Sequence, residues 1–141
     1  MPDGCLISAR ATRKAILKPT ELVRVWGPVE TMTGYQIEAQ GTRLPSTDAL
    51  LHLRIYALRP EVQAILHGHD VEALMKAAAL HIPITAHSAS RPSFEVIDDV
   101  CALIQQTDYV LLRDHGFLAL GKSLDDAGEL VRQMSGRARS L

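Results

Sequence analysis

Apolar positions along this chain fall into short runs at its beginning and into helical repeats further on. The early runs are closed by turn residues such as Gly27-Pro28 and Gly34. Short strands separated by turns favour an antiparallel sheet over strand–helix–strand crossovers. The strands predicted there are 6–10, 15–17, 22–26 and 35–38.

The helical repeats begin with 49–58, which is apolar on nearly every face and is therefore predicted to be a buried helix. Ser46 or Thr47 would cap it, and Asp48 would lie in its first turn, where the helix dipole favours a carboxylate. Further helices are predicted over 70–80, 94–106 and from 124 onward, with Asp70 or His69, Ser93 and Ser123 as their respective caps.

Three apolar runs in the second half, 62–66, 109–113 and 117–121, are predicted to be buried strands. The last two are joined by a turn at Asp114-His115-Gly116. Strands and helices mixed on one mostly antiparallel sheet indicate a layered α+β domain. A length of 141 residues suits one domain with one core, spanning residues 1–141.

Composition narrows the functional classes. The chain has 47% hydrophobic and 22% charged residues, as soluble globular proteins do, and its net charge of −1 gives a nucleic-acid partner no electrostatic support. No apolar stretch approaches the ~18–20 residues of a membrane span, and no secretory signal is visible. Cys5 and Cys101 form no C-x-x-C motif, so we expect no disulfide framework and a cytoplasmic location.

The strand 62–66 leads into two histidines, His67 and His69. Because side chains alternate along a strand, the two imidazoles share a face, roughly 6.5–7 Å apart. From there they can reach one metal ion at ~2.0–2.1 Å. The pair alone is equally compatible with surface or hydrogen-bonded histidines. His115, in a tight turn between two buried strands, is either a third ligand or a solvated turn residue.

Asp48, at the start of a buried helix, has two interpretations as well. It is either a plain helix cap or a carboxylate held near a metal, as ligand or as base. Three neutral imidazoles with one open coordination position indicate a catalytic rather than a structural site. Such an ion can polarise a carbonyl or stabilise an enediolate, and a nearby carboxylate can move the proton.

Several motifs, in order and at matching spacing from about residue 4 to residue 135, resemble the class II aldolase/adducin family. The motifs are Gly4 with Ser8-Ala9-Arg10, Leu44-Pro45-Ser46-Thr47-Asp48, His52, Tyr56, Arg59-Pro60-Glu61-Val62, His67-Gly68-His69, and Leu111-Leu112-Arg113-Asp114-His115-Gly116 followed by Gly121. No single motif is specific, but the set is.

The resemblance implies a three-layer α/β/α domain with a central, mostly antiparallel sheet, usually assembled as a homotetramer. It implies that His67, His69 and His115 bind a divalent metal, with Zn²⁺ preferred and Mn²⁺ as the alternative. Asp48 stands where the family's sugar-phosphate aldolases carry a catalytic glutamate and its ribulose-phosphate epimerases an aspartate.

The implied activity is that of a lyase. It would cleave a C–C bond in a sugar or other hydroxy-carbonyl substrate through a metal-stabilised enediolate. A sugar-phosphate epimerase or dehydratase, and a non-catalytic adducin-like or relic metal-binding module, are the alternatives.

The family's phosphate cradle is altered in this chain. Its Gly-Asn, Thr-Gly and Ser-Ser pairs are matched by Gly4-Cys5, Thr20-Glu21 and Ser46-Thr47, so Gly4, Thr20, Ser46 and Thr47 are the predicted substrate contacts. Glu21 would repel a phosphate, which makes a free sugar or a hydroxy-keto acid plausible as substrate.

Other features of the family are replaced or missing. An aldolase tyrosine is matched by His87, which is either a proton donor or a loop histidine. The family's N-terminal helix and C-terminal tyrosine are not found, so the chain is either a minimal member or its true start lies upstream.

Overall fold

The computed structural model describes residues 4–141, which divide into two compact units, one ending at Ala57 and the other comprising Leu58–Leu141. Both units combine an antiparallel sheet with helices, which confirms the predicted α+β class. The prediction of one domain over residues 1–141 stays a prediction.

The N-terminal unit is built on a three-stranded antiparallel sheet in the order β1-β2-β3. Its elements are β1 (Gly4–Ser8), β2 (Leu22–Thr31), β3 (Gly34–Gln40) and α1 (Ala49–Leu58). Ile7, Val23 and Val25 occupy alternate positions of β1 and β2, so they share one face and pack with Ala49 and Leu53 of α1. Both valines are fully buried, which contributes roughly 1.5–3 kcal/mol per side chain.

The predicted strand at 15–17 is wrong. The segment Lys14–Ile16 forms a 3-10 turn, closed by a hydrogen bond from the Ile16 N–H to the Arg13 carbonyl. A second 3-10 turn follows at Pro19–Glu21. The apolar run is too short to bury itself, since the Ile16 side chain is 62% exposed, and Pro19 removes a backbone donor that a strand would use.

The C-terminal unit holds a second antiparallel sheet in the order β4-β6-β5. Its elements are β4 (Ala64–Gly68), α2 (Val71–Met75), α3 (Phe94–Leu103), β5 (Tyr109–Leu112), β6 (Gly116–Gly121) and α4 (Leu124–Ser140). Every residue of β5 is buried, as are the first five of β6, because apolar side chains cover both faces of these strands.

The predicted helix caps are confirmed in this unit. The side chains of Asp70, Ser93 and Ser123 accept hydrogen bonds from the N–H groups three residues on, at 3.0, 3.2 and 3.0 Å. Among the helices of residues 4–141, none combines the length and the apolar character needed to cross a bilayer.

The helix predicted over 70–80 is regular only over Val71–Met75. After Met75 the chain continues in turns, and this segment ends in a Schellman motif, as many helices do. The N–H groups of Ile82 and His81 donate to the carbonyls of Ala77 and Ala78, at 2.9 and 3.2 Å. His81 takes the left-handed position with φ of 54°, where a glycine is usual, so the sequence carries no glycine stop signal there.

Candidate metal centre

The first two histidines of the candidate centre lie where β4 ends. His67 is in the strand, opposite Leu118 of β6, and His69 follows it by two residues. Their ring centroids are 5.4 Å apart. The intervening Gly68 is required because a Cβ there would lie 2.7 Å from the Phe117 ring. The strand therefore presents both imidazoles on one side, as the alternation of side chains along a strand predicts.

The third histidine, His115, comes from the tight turn between β5 and β6. Its ring centroid lies 4.8 Å from that of His67 and 5.1 Å from that of His69. The close approach depends on Gly116, because a Cβ at that position would stand 2.1 Å from the Gly68 carbonyl oxygen and 2.9 Å from Cδ2 of His69. The structure thus brings together the three histidines that the sequence singles out.

A backbone carbonyl fixes the tautomer of His67. Its Nδ1 lies 2.9 Å from the Phe117 carbonyl oxygen. Since a carbonyl oxygen only accepts, Nδ1 carries the hydrogen, and Nε2 is the ring atom that can bind a metal. The sequence gives no sign of this bond, because the two residues are fifty positions apart.

Asp70, directly after His69, anchors this end of β4 to two helices. Its carboxylate caps α2 through the Ala73 N–H and accepts a hydrogen bond from the Ser135 hydroxyl of α4. Burial acts to raise the pKa of Asp70, but these hydrogen bonds outweigh it and hold the pKa below its ordinary value. Asp70 is therefore a carboxylate at neutral pH, and the chain after His69 is held in place.

The donor set fits a divalent cation. One ligand atom from each of the three histidines lies within 4.8 Å of the other two, and no other such cluster of His, Cys, Asp and Glu occurs among residues 4–141. His69 is exposed while His67 and His115 are half-buried, so the cluster is open on one side. Three imidazole nitrogens and an open side suit an ion that also binds substrate.

The other predicted site residues all belong to the N-terminal unit. The Asp48 carbonyl accepts the first helical hydrogen bond of α1, from His52, and its N–H donates to the Ser46 hydroxyl at 3.2 Å. Asp48 and Ser46 are half-buried, and Thr47 and Thr20 are exposed. Gly4 begins β1 opposite Trp26, where a Cβ would lie 2.6 Å from the Val25 carbonyl oxygen. Their roles in substrate binding and catalysis stay predictions.

Two neighbours of the altered phosphate positions change the electrostatic picture. Arg43 lies 3.0 Å from Glu21, so the carboxylate that would repel a phosphate carries its own counter-charge. The sequence pattern misses this pair, because Arg43 is 22 residues away. Burial raises the pKa of the Cys5 thiol to about 11, so this cysteine is protonated at neutral pH and is a poor nucleophile.

The family model of the Class II Aldolase and Adducin N-terminal domain matches residues 1–140. The chain is 27% identical over 148 residues to the L-fuculose phosphate aldolase of Haemophilus influenzae, covering 94% of this chain and 64% of that protein. It is 30% identical over 113 residues to the methylthioribulose-1-phosphate dehydratase of Pseudoalteromonas translucida, covering 61% of this chain and 54% of that protein.

The fold is likewise similar to a solved structure, the sugar-phosphate aldolase from Thermotoga maritima. The TM-score is 0.76 at 21% identity, covering 96% of this chain and 69% of that chain. The chain spans less than two thirds of the length of the two curated relatives above. From the family match, this chain belongs to the class II aldolase and adducin family.

Proposed function

We propose that the protein is a metal-dependent lyase of the class II aldolase type, which breaks or forms a C–C bond in a hydroxy-carbonyl substrate of the sugar class. The observation that carries this proposal is the cluster of His67, His69 and His115, whose ligand atoms lie within 4.8 Å of one another. The three histidines argue against an adducin-like assembly module without a metal site. A relic that binds metal without turnover would keep them, and the activity assays distinguish that case.

His67, His69 and His115 would hold the cation, with Zn²⁺ preferred over Mn²⁺ because three neutral nitrogen ligands suit zinc. When bound, the cation supplies Lewis acidity, which draws electron density from the substrate's carbonyl and hydroxyl oxygens and so stabilises negative charge on the adjoining carbon. The Phe117 carbonyl selects the Nδ1–H tautomer of His67, so that Nε2 is its ligand atom, and Asp70 keeps the segment after His69 in position.

Asp48 is the residue to which we assign proton transfer at carbon. A half-buried carboxylate at the start of a helix is preorganised by its backbone, because both its N–H and its carbonyl are hydrogen-bonded within the first turn. In the cleavage direction Asp48 would deliver a proton to the carbon whose C–C bond breaks. In the reverse direction, C–C bond formation, it would remove that proton.

Gly4, Thr20, Ser46 and Thr47 are assigned to substrate binding. The hydroxyl groups of the last three can donate hydrogen bonds, and Gly4 leaves its backbone uncovered by a side chain. Because Arg43 compensates the charge of Glu21, phosphorylated sugars belong in the substrate panel together with free sugars and hydroxy-keto acids. A homo-oligomer, a tetramer by family resemblance, is part of the proposal.

Dehydration of a sugar phosphate is a second candidate reaction. The likeness to a methylthioribulose-1-phosphate dehydratase favours it. Both reactions develop negative charge on a carbon beside a carbonyl, so they make the same demand on the three histidines and on a proton-transfer group.

Elemental analysis of protein purified without chelator tests the metal, and a panel of retro-aldol and dehydration assays tests the reaction. We expect about one metal per chain in the wild type and almost none in His69→Ala. The matched control is His81→Asn, which changes an exposed histidine of the same unit to a residue that tolerates positive φ. A metal-free wild type would overturn the proposal.

A further inference from the structure

The C-terminal unit contains a cavity that the metal centre does not use. Its volume is about 820 Å³, which falls within the ~300–1,000 Å³ that is usual for sites of small molecules. Four segments line it: the one before β4, the Schellman motif after α2, the one between α3 and β5, and α4. His67, His69 and His115 are not among the lining residues.

The cavity and the metal centre lie at opposite edges of the β4-β6-β5 sheet. Ala64, the first residue of β4, pairs with Gly121, and Tyr109, the first residue of β5, pairs with Ala119. Both strands therefore begin at the edge where β6 ends, and Tyr109 lines the cavity there. The three histidines lie at the ends of β4 and β5, which is the other edge. A molecule in the cavity is therefore distinct from one bound at the metal centre.

Part of the cavity lining is apolar and buried. Leu80, Ile82 and Met134 line it and are 7%, 5% and 9% exposed, respectively. The Leu80 carbonyl accepts a hydrogen bond from Arg137. The Ile82 N–H donates to the Ala77 carbonyl. Because these backbone groups are already paired, the carbon skeleton of a ligand can pack here without leaving them unsatisfied.

Arg59 fixes one wall of the cavity. Its guanidinium donates to the carboxylates of Glu61 and Asp108, the second at 2.8 Å, and to the Ile104 carbonyl at 2.6 Å. The hydrogen bond from Arg59 lowers the pKa of Glu61, so this carboxylate is charged at neutral pH. Two carboxylates on one guanidinium leave this wall with a net negative charge, so it does not attract an anion.

Arg137 of α4 supplies a positive charge at another part of the lining. Its Nη2 donates to the Leu80 carbonyl at 3.0 Å, and its Nη1 lies 3.4 Å from the sulfur of Met134. Within residues 4–141, no carboxylate forms an ion pair with Arg137. A guanidinium has five N–H donors, so two contacts hold Arg137 in place while most of its donors stay available to a ligand.

We infer that this cavity binds a small organic anion, whose carboxylate or phosphate group pairs with Arg137 and whose carbon skeleton packs on the apolar lining. A guanidinium can donate two parallel hydrogen bonds to either acid group. An arginine without an acidic partner, beside a buried apolar surface, is the combination that such a ligand requires. The ligand is neither the substrate nor a ligand of the metal ion, so this site goes beyond the proposed function.

Three naphthalene probes test the site, because they share one carbon skeleton and differ in charge. They are 2-naphthoate, 2-naphthyl phosphate and the uncharged 2-naphthamide. In a titration of the wild-type protein followed by proton–nitrogen NMR, we expect the two anions to shift the amide signals of 105–109 and of the Schellman motif. The naphthamide should bind roughly tenfold more weakly, because it lacks a charge-assisted hydrogen bond. The ratio of the dissociation constants of the two anions shows which acid group the site prefers.

Substitutions in α4 and in the lining test which residue binds the acid group. Arg137→Gln should weaken the binding of both anions roughly tenfold and leave that of the naphthamide unchanged. Arg132→Gln is the matched control, since Arg132 is an exposed arginine of the same helix that pairs with Glu129 and does not line the cavity. It should change none of the three dissociation constants. Gln106→Glu adds a negative charge at an exposed lining residue and should weaken the binding of both anions several-fold.

Three results would overturn the inference. The first is that the anions shift no signal of the cavity residues, or shift only signals around His67, His69 and His115. The second is a naphthamide that binds as tightly as the anions. The third is an unchanged affinity for the anions in Arg137→Gln. If that variant does not fold, an unchanged affinity in Gln106→Glu overturns the inference instead.

Discussion

The sheets of the two units differ in how their strands are buried. In the C-terminal unit all of β5 and most of β6 are buried, and the three histidines stand at the ends of this buried sheet. In the N-terminal unit β2 buries only Val23 and Val25, and β3 has no buried residue. The difference teaches where rigidity is needed: metal ligands must converge within a few tenths of an ångström, whereas hydroxyl contacts to a substrate tolerate an open surface.

The largest expected effect on turnover is that of a substitution in the N-terminal unit, at Asp48. Asp48→Asn should lower turnover by roughly 10²–10⁴-fold, because an amide cannot act as a general acid or base, while metal content stays unchanged. Steady-state kinetics with elemental analysis checks this, and Asp98→Asn serves as the charge-matched control. Loss of most of the metal in Asp48→Asn would instead indicate that Asp48 is a metal ligand. That result would contradict the assignment of metal binding to the C-terminal unit and of proton transfer to the N-terminal unit.

The second effect tests the rigidity of the C-terminal unit. Gly116→Ala forces a Cβ to 2.1 Å from the Gly68 carbonyl oxygen, so we expect a loss of about 1–3 kcal/mol in the free energy of unfolding and weaker metal binding. Gly136→Ala in α4 meets nothing within 4 Å and should stabilise by about 0.5–1 kcal/mol. Urea unfolding and zinc titration measure both; wild-type metal affinity in Gly116→Ala would contradict the account.

A smaller effect is expected when a helix cap beside the metal centre is removed and compared with the removal of a cap elsewhere in the same unit. Asp70→Ala and Ser123→Ala each remove a confirmed cap and should each lower the free energy of unfolding by about 0.5–2 kcal/mol. Only Asp70→Ala should also weaken zinc binding several-fold, because Asp70 adjoins His69. Equal zinc affinity in the two variants would show that the cap does not support the metal centre.

The smallest effect concerns substrate choice in the N-terminal unit. Arg43→Gln removes the counter-charge of Glu21 and should raise the KM for phosphorylated substrates a few-fold, with little change for free sugars. Kinetics on matched phosphorylated and free sugars checks this. An equal change for both would mean that the pair does not act on phosphate.

What the sequence predicts here depends on how local the signal is. The common face of His67 and His69, the cap at Asp70 and the turn at His115 follow from period and residue type within one element. The partners that hold them do not, because the Phe117 carbonyl and Ser135 lie 50 and 65 residues away along the chain. The hydrogen bond between Nδ1 of His87 and the carboxylate of Asp99 is hidden for the same reason, although it spans only twelve residues, since it joins a loop to α3.

The two misjudged elements show the limits of local patterns. At 15–17 three apolar residues carry strand propensity but find no strand partner, and a 3-10 turn results. At 76–80 the helical period continues beyond the regular helix, and a Schellman motif with His81 ends it without the glycine that would mark the stop.

X-ray absorption spectroscopy of the zinc-loaded protein tests the central claim most directly. Three histidines on one ion predict three imidazole nitrogens at ~2.0–2.1 Å, and His115→Ala should lower that number to two or abolish binding. Two results would contradict the assignment of His67, His69 and His115 as the metal ligands. One is a sulfur ligand at ~2.3 Å from the zinc, and the other is a spectrum of His115→Ala that is identical to that of the wild type.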